Sequence, residues 1–254
     1  MSEMTPDRDP AARLAELRGS LAAVRRRIDE ACDTAGRPRD EVALIVVTKT
    51  YPASDVRLLS SLGVTEVAEN RDQEAAGKAA ATADLPLRWH FVGQLQTNKV
   101  RSVAGYADRV HSVDRLRLVE ALSNAVEKSG RERPLGCLVQ VALEKEGAVE
   151  GDPVHHRGGA APNEVAQLAD ALAAAPGLRL DGVMAVAPLV GRYAGNPRAA
   201  FERLAEIATA VREAHPTATM VSAGMSGDLE EAVLAGATHV RVGSAVLGVR
   251  PPLG

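Results

Sequence analysis

From residue 42 onward the chain repeats one pattern eight times: a short apolar run, then a segment whose apolar residues fall three and four apart. The runs are VALIVV (42–47), TEVA (65–68), RWHFV (88–92), RVHSV (109–113), GCLVQVAL (136–143), LDGVMAVA (180–187), ATMVS (218–222) and HVRVG (239–243). Near-continuous apolar runs of this length read as strands buried on both faces, which is the condition of a parallel sheet. Between them, Val113, Leu116, Val119, Leu122 and Val126, and likewise Phe201, Leu204, Ile207 and Val211, are spaced for helices that cover one face of a sheet. Eight β/α units predict a single TIM (β/α)8 barrel. Pro52 suits a first helical turn, and Pro176-Gly177 stops a helix before the sixth run.

A length of 254 residues admits one barrel or two smaller domains, and no linker-like stretch divides the chain. We therefore expect one domain over residues 10–254, preceded by a disordered polar tail over residues 1–9. Leu14, Leu17, Leu21, Val24 and Ile28 add a leading helix over 10–33. The long loop is EKEGAVEGDPVHHRGGAAPN (144–163), where His155 and His156 read either as ligands or as solvated side chains.

Composition narrows the function. Apolar residues make up 46% but aromatics only 2%, so the core must be built from Ala, Val and Leu, and few rings remain for stacking bases. The net charge of −3 lacks the basic balance of a nucleic-acid binder. Cys32 and Cys137 lie far apart without metal-ligand spacing, which argues against a disulfide framework or a zinc site. With no apolar run of membrane length, the expectation is a cytoplasmic protein with no membrane partner.

Active sites in this fold sit at the carboxyl ends of the strands. There the chain places Thr48-Lys49, Glu69-Asn70, His90 to Gln94, Ser222 followed by Gly224-Met225-Ser226-Gly227, and Arg241 to Ser244. Lys49 stands out because the chain holds 25 Arg and only five Lys. At a strand mouth a partly desolvated amine is freed to attack a carbonyl, although a loop lysine reaching water fits the position too. The glycines of the last two loops permit close approach of an anion, and those loops are the usual phosphate site of the fold. Ser226 as a helix N-cap is the structural alternative, as is Asn70 capping a helix with Gln73. Arg241 lies in an apolar run and must meet a carboxylate or a ligand.

The blocks VVTKTYP (46–52), AEN (68–70), WHFVGQLQTNK (89–99), GVMAVAPL (182–189), SAGMSGD (222–228) and RVGSAVLG (241–248) together resemble the pyridoxal 5′-phosphate homeostasis proteins, the YggS/PROSC family. The resemblance runs from about residue 12 to 250. It implies a fold type III barrel like the N-terminal domain of alanine racemase, binding pyridoxal 5′-phosphate (PLP) as an internal aldimine with no established turnover. Lys49 then matches the aldimine lysine and Asn70 a residue beside the ring. Ser226, Gly243 and Ser244 match the phosphate cup with Ser222 and Gly224 beside it, and Arg241 faces the pyridine nitrogen. His90 and Met225 join the expected cofactor-binding set. Ala223 and Leu247 depart from the family pattern at what look like packing positions.

An arginine keeps its proton, so it leaves the pyridine nitrogen unprotonated and weakens the ring as an electron sink, which disfavours transaminase chemistry. A PLP-binding homeostasis protein, a monomer with PLP-dependent apo-enzymes as transient partners, is the leading reading. The alternatives are a racemase-type enzyme and a Schiff-base aldolase without cofactor. Racemisation needs a second proton carrier opposite the lysine. Only Tyr51, Tyr106 and Tyr193 are available, and the sequence ends at Gly254 without residues for the extra β-domain that supplies that tyrosine in alanine racemases.

Overall fold

The computed structural model describes residues 9–146 and 158–248. His155, His156 and all of the expected tail but Asp9 lie outside the described residues. Strands β1 (Ala43–Val47), β2 (Glu66–Glu69), β3 (Arg88–Phe91), β4 (Arg109–Val113), β5 (Leu135–Gln140), β6 (Leu178–Met184), β7 (Met220–Ser222) and β8 (His239–Val242) form a closed barrel in chain order. Every neighbouring pair is parallel, and β8 closes on β1 with Ala43 to Val46 level with His239 to Val242. Each strand falls on one of the eight apolar runs.

Period-two alternation sorts the side chains. Ile45, Ala68, Leu138, Met184 and Met220 meet inside the barrel, with Val47, Val92 and Val186 above them. Val46, Val67 and Trp89, one residue out of phase, face the helical shell. The inward row of β1 thus runs Ile45, Val47, Lys49, which delivers Lys49 to the mouth.

The shell consists of α2 (Ala53–Ser61), α3 (Asp72–Ala81), α4 (Val100–Tyr106), α5 (Leu116–Ser129), α6 (Val165–Ala174), α7 (Pro197–Ala214), α8 (Leu229–Leu234) and α9 (Ser244–Leu247). One expectation needs correcting. Val113 belongs to β4, and α5 buries Leu118, Val119, Leu122 and Val126 while leaving Leu116 exposed. A strand end and a helix start, both apolar, merge into one apparent stripe.

The leading helix α1 (Pro10–Ala35) is capped by Asp9, whose side chain accepts from the Ala11 amide, and ends at Gly36 with φ 63°. Its stripe of Leu17, Leu21, Val24 and Ile28 is buried against the barrel wall beside α8 and α9. Arg13 anchors it, donating to Asp55 on α2 at 2.7 Å and to the Leu247 carbonyl at 3.0 Å.

Candidate functional site

A cleft of about 490 Å³ opens at the carboxyl ends of the strands, within the size range of small-molecule sites. Lys49 and Tyr51 enter it from the end of β1, Asn70 from β2, Val92 and Gly93 from β3, and Met184 and Val186 from β6. Met225, Ser226 and Gly227 close one side from the β7–α8 loop, and Arg241, Gly243 and Ser244 rise from β8. Of the ten residues expected to bind cofactor, seven line this cleft. His90, Ser222 and Gly224 do not.

The backbone around Lys49 is held hard. Thr48 donates from Oγ1 to Glu69 Oε1 at 2.6 Å, while Lys78 on α3 donates to the same oxygen at 2.6 Å and to the Thr48 carbonyl at 2.9 Å. Thr50 sits at φ 71°, the one positive φ outside glycine among the described residues, and its amide donates to Glu74. A β-branched residue in that region is strained by roughly 1–3 kcal/mol, a cost that persists only where the surroundings fix it. Glu69 was expected at the cleft, but period two turns it outward to Lys78. Burial raises its carboxyl, an effect that Lys78 and Thr48 offset in part. Among the five lysines, only Lys49 lines the cleft; Lys78 is buried in this clamp and Lys99 sits on an exposed 3-10 turn, Thr97–Lys99.

At the opposite wall, the last two loops form a cradle. Gly224 at φ 85° lets the chain pass α8, where a Cβ would lie 2.6 Å from that of Ala232. Ser226 is not a helix cap, since Asp228 occupies the N-cap position of α8; instead Ser226 Oγ accepts from the Ala245 amide at 3.2 Å and ties the two loops together. Its own hydroxyl proton remains to donate. The Met225 amide is committed to Asp228 at 2.6 Å, so Met225 contributes only its side chain. Arg27 of α1 donates to the Ser226 carbonyl at 3.0 Å and pairs with Glu230, bracing the loop from outside.

Between lysine and cradle stands Arg241, 4% exposed. It meets no carboxylate among the described residues, contrary to one alternative, and donates to Ser222 Oγ at 2.7 Å and the Ala185 carbonyl at 3.0 Å. Burial lowers it to about 10, against a partial rise from Asp228. Ser222 therefore lies behind Arg241 rather than beside the cradle. His90 is fully buried one layer below Val92, with Nδ1 2.8 Å from His111 Nε2. Asn70 is not an N-cap either, because Arg71 holds that position. Its Oδ1 is buried without a hydrogen-bond partner. Gly93 makes this possible, since a Cβ there would lie 2.1 Å from the Asn70 carbonyl oxygen. Sequence reasoning missed Tyr51 as a cleft residue, whereas Gly93 belongs to the strand-end stretch His90 to Gln94 and does line the cleft.

The barrel with its cationic floor and two-loop cradle defines the alanine racemase N-terminal-domain class, whose family model matches residues 19–251. The chain is 42% identical over 252 residues to the pyridoxal phosphate homeostasis protein of Mycobacterium leprae, covering 93% of each chain. It is 40% identical over 231 residues to that of Pseudomonas aeruginosa, covering 91% of this chain and 94% of the other. The structure of PipY from Synechococcus elongatus with PLP bound matches with a TM-score of 0.74 and 31% identity, over 91% of this chain and all of that one. The chain belongs to the pyridoxal phosphate homeostasis protein family. Its residues fit that ligand: a lysine amine, a buried cation, an unpartnered amide oxygen and a hydroxyl-lined cradle share one cleft.

Proposed function

We propose that this protein binds PLP in the cleft and holds it in reserve, as a Schiff base on Lys49, rather than turning over a substrate. The observation that carries this reading is the cleft's single lysine facing a cradle across a buried arginine that pairs with no carboxylate among the described residues. Ser226, Gly227, Gly243 and Ser244 would take the phosphate, and Asn70 would lie beside the ring. The Lys49 amine would join the aldehyde carbon with loss of one water. Bound PLP supplies an electrophilic carbon conjugated to an electron-withdrawing ring.

Arg241, even lowered to about 10, remains protonated by about a thousand to one at pH 7. It would therefore donate to the pyridine nitrogen of bound PLP without giving it a proton, which would limit the ring as an electron sink. Tyr51 lines the cleft, but its hydroxyl donates to the Gly248 carbonyl at 2.9 Å. Tyr193 is engaged with Glu146, and Tyr106 is half-buried beside Asp72. None of the three is placed as the second proton carrier a racemase needs. Cys32 and Cys137 are buried and unpaired, which supports a reducing, cytoplasmic setting. PLP-dependent apo-enzymes are the recipients this reading implies.

Borohydride reduction of the PLP-loaded protein followed by peptide mapping tests the assignment. Label on Lys49, and loss of the visible absorbance in Lys49→Ala, is the expected result; label on Lys99 or Lys78 sinks it. Incubation with L-alanine in deuterated water should show no exchange at Cα above about one per second, the low end of the enzymatic range.

A further inference from the structure

Beneath the cleft, five buried side chains from five strands touch in sequence. Arg241 Nη1 lies 2.7 Å from Ser222 Oγ, which lies 3.0 Å from His111 Nδ1. His111 Nε2 lies 2.8 Å from His90 Nδ1, and His90 Nε2 lies 3.2 Å from Glu66 Oε2, at ion-pair distance though short of hydrogen-bond alignment. Glu66 opens β2 at the amino-terminal floor of the barrel, where the exposed Arg88 also donates to it at 3.1 Å.

Chemistry fixes every proton in this chain. A guanidinium only donates, so Ser222 Oγ accepts from Arg241, while at the other end the Glu66 carboxylate only accepts, so the ring nitrogen that faces it must carry the proton. With both rings neutral, His90 Nδ1 then accepts from His111 Nε2–H, and His111 Nδ1 is left to accept the Ser222 O–H. His90 in turn carries its proton on Nε2, toward the Glu66 carboxylate. Both rings are neutral Nε2–H tautomers, and each dipole in the row presents its negative end toward Arg241. Burial and neighbouring cations act in the same sense, lowering His111 well below the usual imidazole range.

We infer that the row Glu66, His90, His111 and Ser222 is a positioning relay that orients Arg241 toward the cleft and compensates its buried charge with aligned dipoles instead of a carboxylate. A carboxylate against the guanidinium would occupy the donors and cancel the charge that the cofactor nitrogen meets. The row supplies an acceptor while the counter-charge stays at the far end of the barrel. None of the four residues lines the cleft. This inference rests on the reading of Arg241 as the residue that faces the PLP nitrogen.

Two measurements test it. The first uses the protein without cofactor: ring nitrogen NMR of His90 and His111 at pH 7 should show protonated Nε2 and bare Nδ1 on both, and an imidazolium or an Nδ1–H ring on either overturns the relay. The second is PLP affinity and absorbance in His111→Leu and His111→Gln. Leucine fills the space but breaks the row, and should weaken binding at least tenfold and shift the absorbance maximum. Glutamine can accept from Ser222 and donate to His90, and should restore both. Wild-type binding and spectrum in His111→Leu, or equal losses in the two variants, would show a packing role only. Should His111→Leu not fold, Ser222→Ala removes a single oxygen and reads the same link, with at least a tenfold loss expected. If the wild-type protein takes up no PLP, the proposed function fails, and the tautomers alone decide whether the row is ordered as argued.

Discussion

Lys49 and Lys78 are the same residue type some thirty positions apart, and their surroundings separate their chemistry. Lys78 has an ion pair at 2.6 Å and a carbonyl at 2.9 Å to hold its protons, so its nitrogen lone pair is unavailable to an aldehyde. Lys49 follows the inward row of β1 into the cleft. The same scale shows why Gly93 is glycine. In Gly93→Ala the new methyl would press on the Asn70 carbonyl and move Asn70 out of the cleft wall. Overpacking of this kind costs about 1–3 kcal/mol. We expect an unfolding free energy lower by that amount in urea and a PLP affinity at least tenfold weaker in titrations followed by absorbance; unchanged affinity would show that Asn70 is not held by this approach. Ser226→Ala combined with Ser244→Ala removes two hydroxyls that we assign to the phosphate. Each charged hydrogen bond is worth roughly 1.5–3 kcal/mol, so the double variant should lose PLP at least a hundredfold, and pyridoxal should bind both forms equally poorly.

At the scale of elements, the strands were legible because a barrel strand buried on both faces leaves an apolar run bounded by polar ends. Inward phase was legible too, since Ile45, Val47 and Lys49 alternate as the period of two demands. What alternation does not give is depth. His90 and Arg241 both point inward, yet Arg241 lines the cleft while His90 is fully buried beneath Val92, and which inward side chain reaches the mouth depends on its length and on the stagger of the closed barrel. Register arises from closure of all eight strands, and no local segment records it. The clamp of α3 on the β1 end was equally hidden, because Lys78 and Glu69 meet only when α3 lies against the outer face of β2. Removing the cation in Lys78→Met leaves Glu69 buried without its partner and should cost about 3–5 kcal/mol in denaturant unfolding. Replacing both, in Lys78→Met with Glu69→Leu, should recover most of that loss; failure to recover would place the stabilisation in the Thr48 contacts instead.

Across the whole molecule, the barrel encloses imidazoles that must stay neutral while its floor holds a carboxylate that must stay ionised. Burial lowers His239 to about 4, with His90 and Arg109 adding to the effect and Glu66 opposing it, and it also lowers His111 well below the usual imidazole range. For Glu66, burial alone would raise the carboxyl, but His90, His239 and Arg109 bring it down to about 2. An unfolded imidazole titrates near 6.5, so below that pH the unfolded chain takes up protons that the folded barrel refuses. Stability is therefore full above pH 6.5 and falls as pH falls, with each of His90, His111 and His239 adding up to about 1.4 kcal/mol per pH unit where it stays neutral. Glu66 extends the loss, since its contribution is present above the unfolded carboxyl range near 4.5 and disappears as pH drops toward 2. A protein destabilised through carboxylates alone would hold its stability down to about pH 5. Here the decline should begin above pH 6. Urea unfolding at pH 7.5, 6.0 and 5.0 measures it, and His239→Gln, which removes one of the three lowered imidazoles, should make the pH 6 to 5 segment shallower. A flat profile between pH 7.5 and 5.0 would mean that these rings are charged in the folded state, and the buried neutral interior described for this barrel would be wrong.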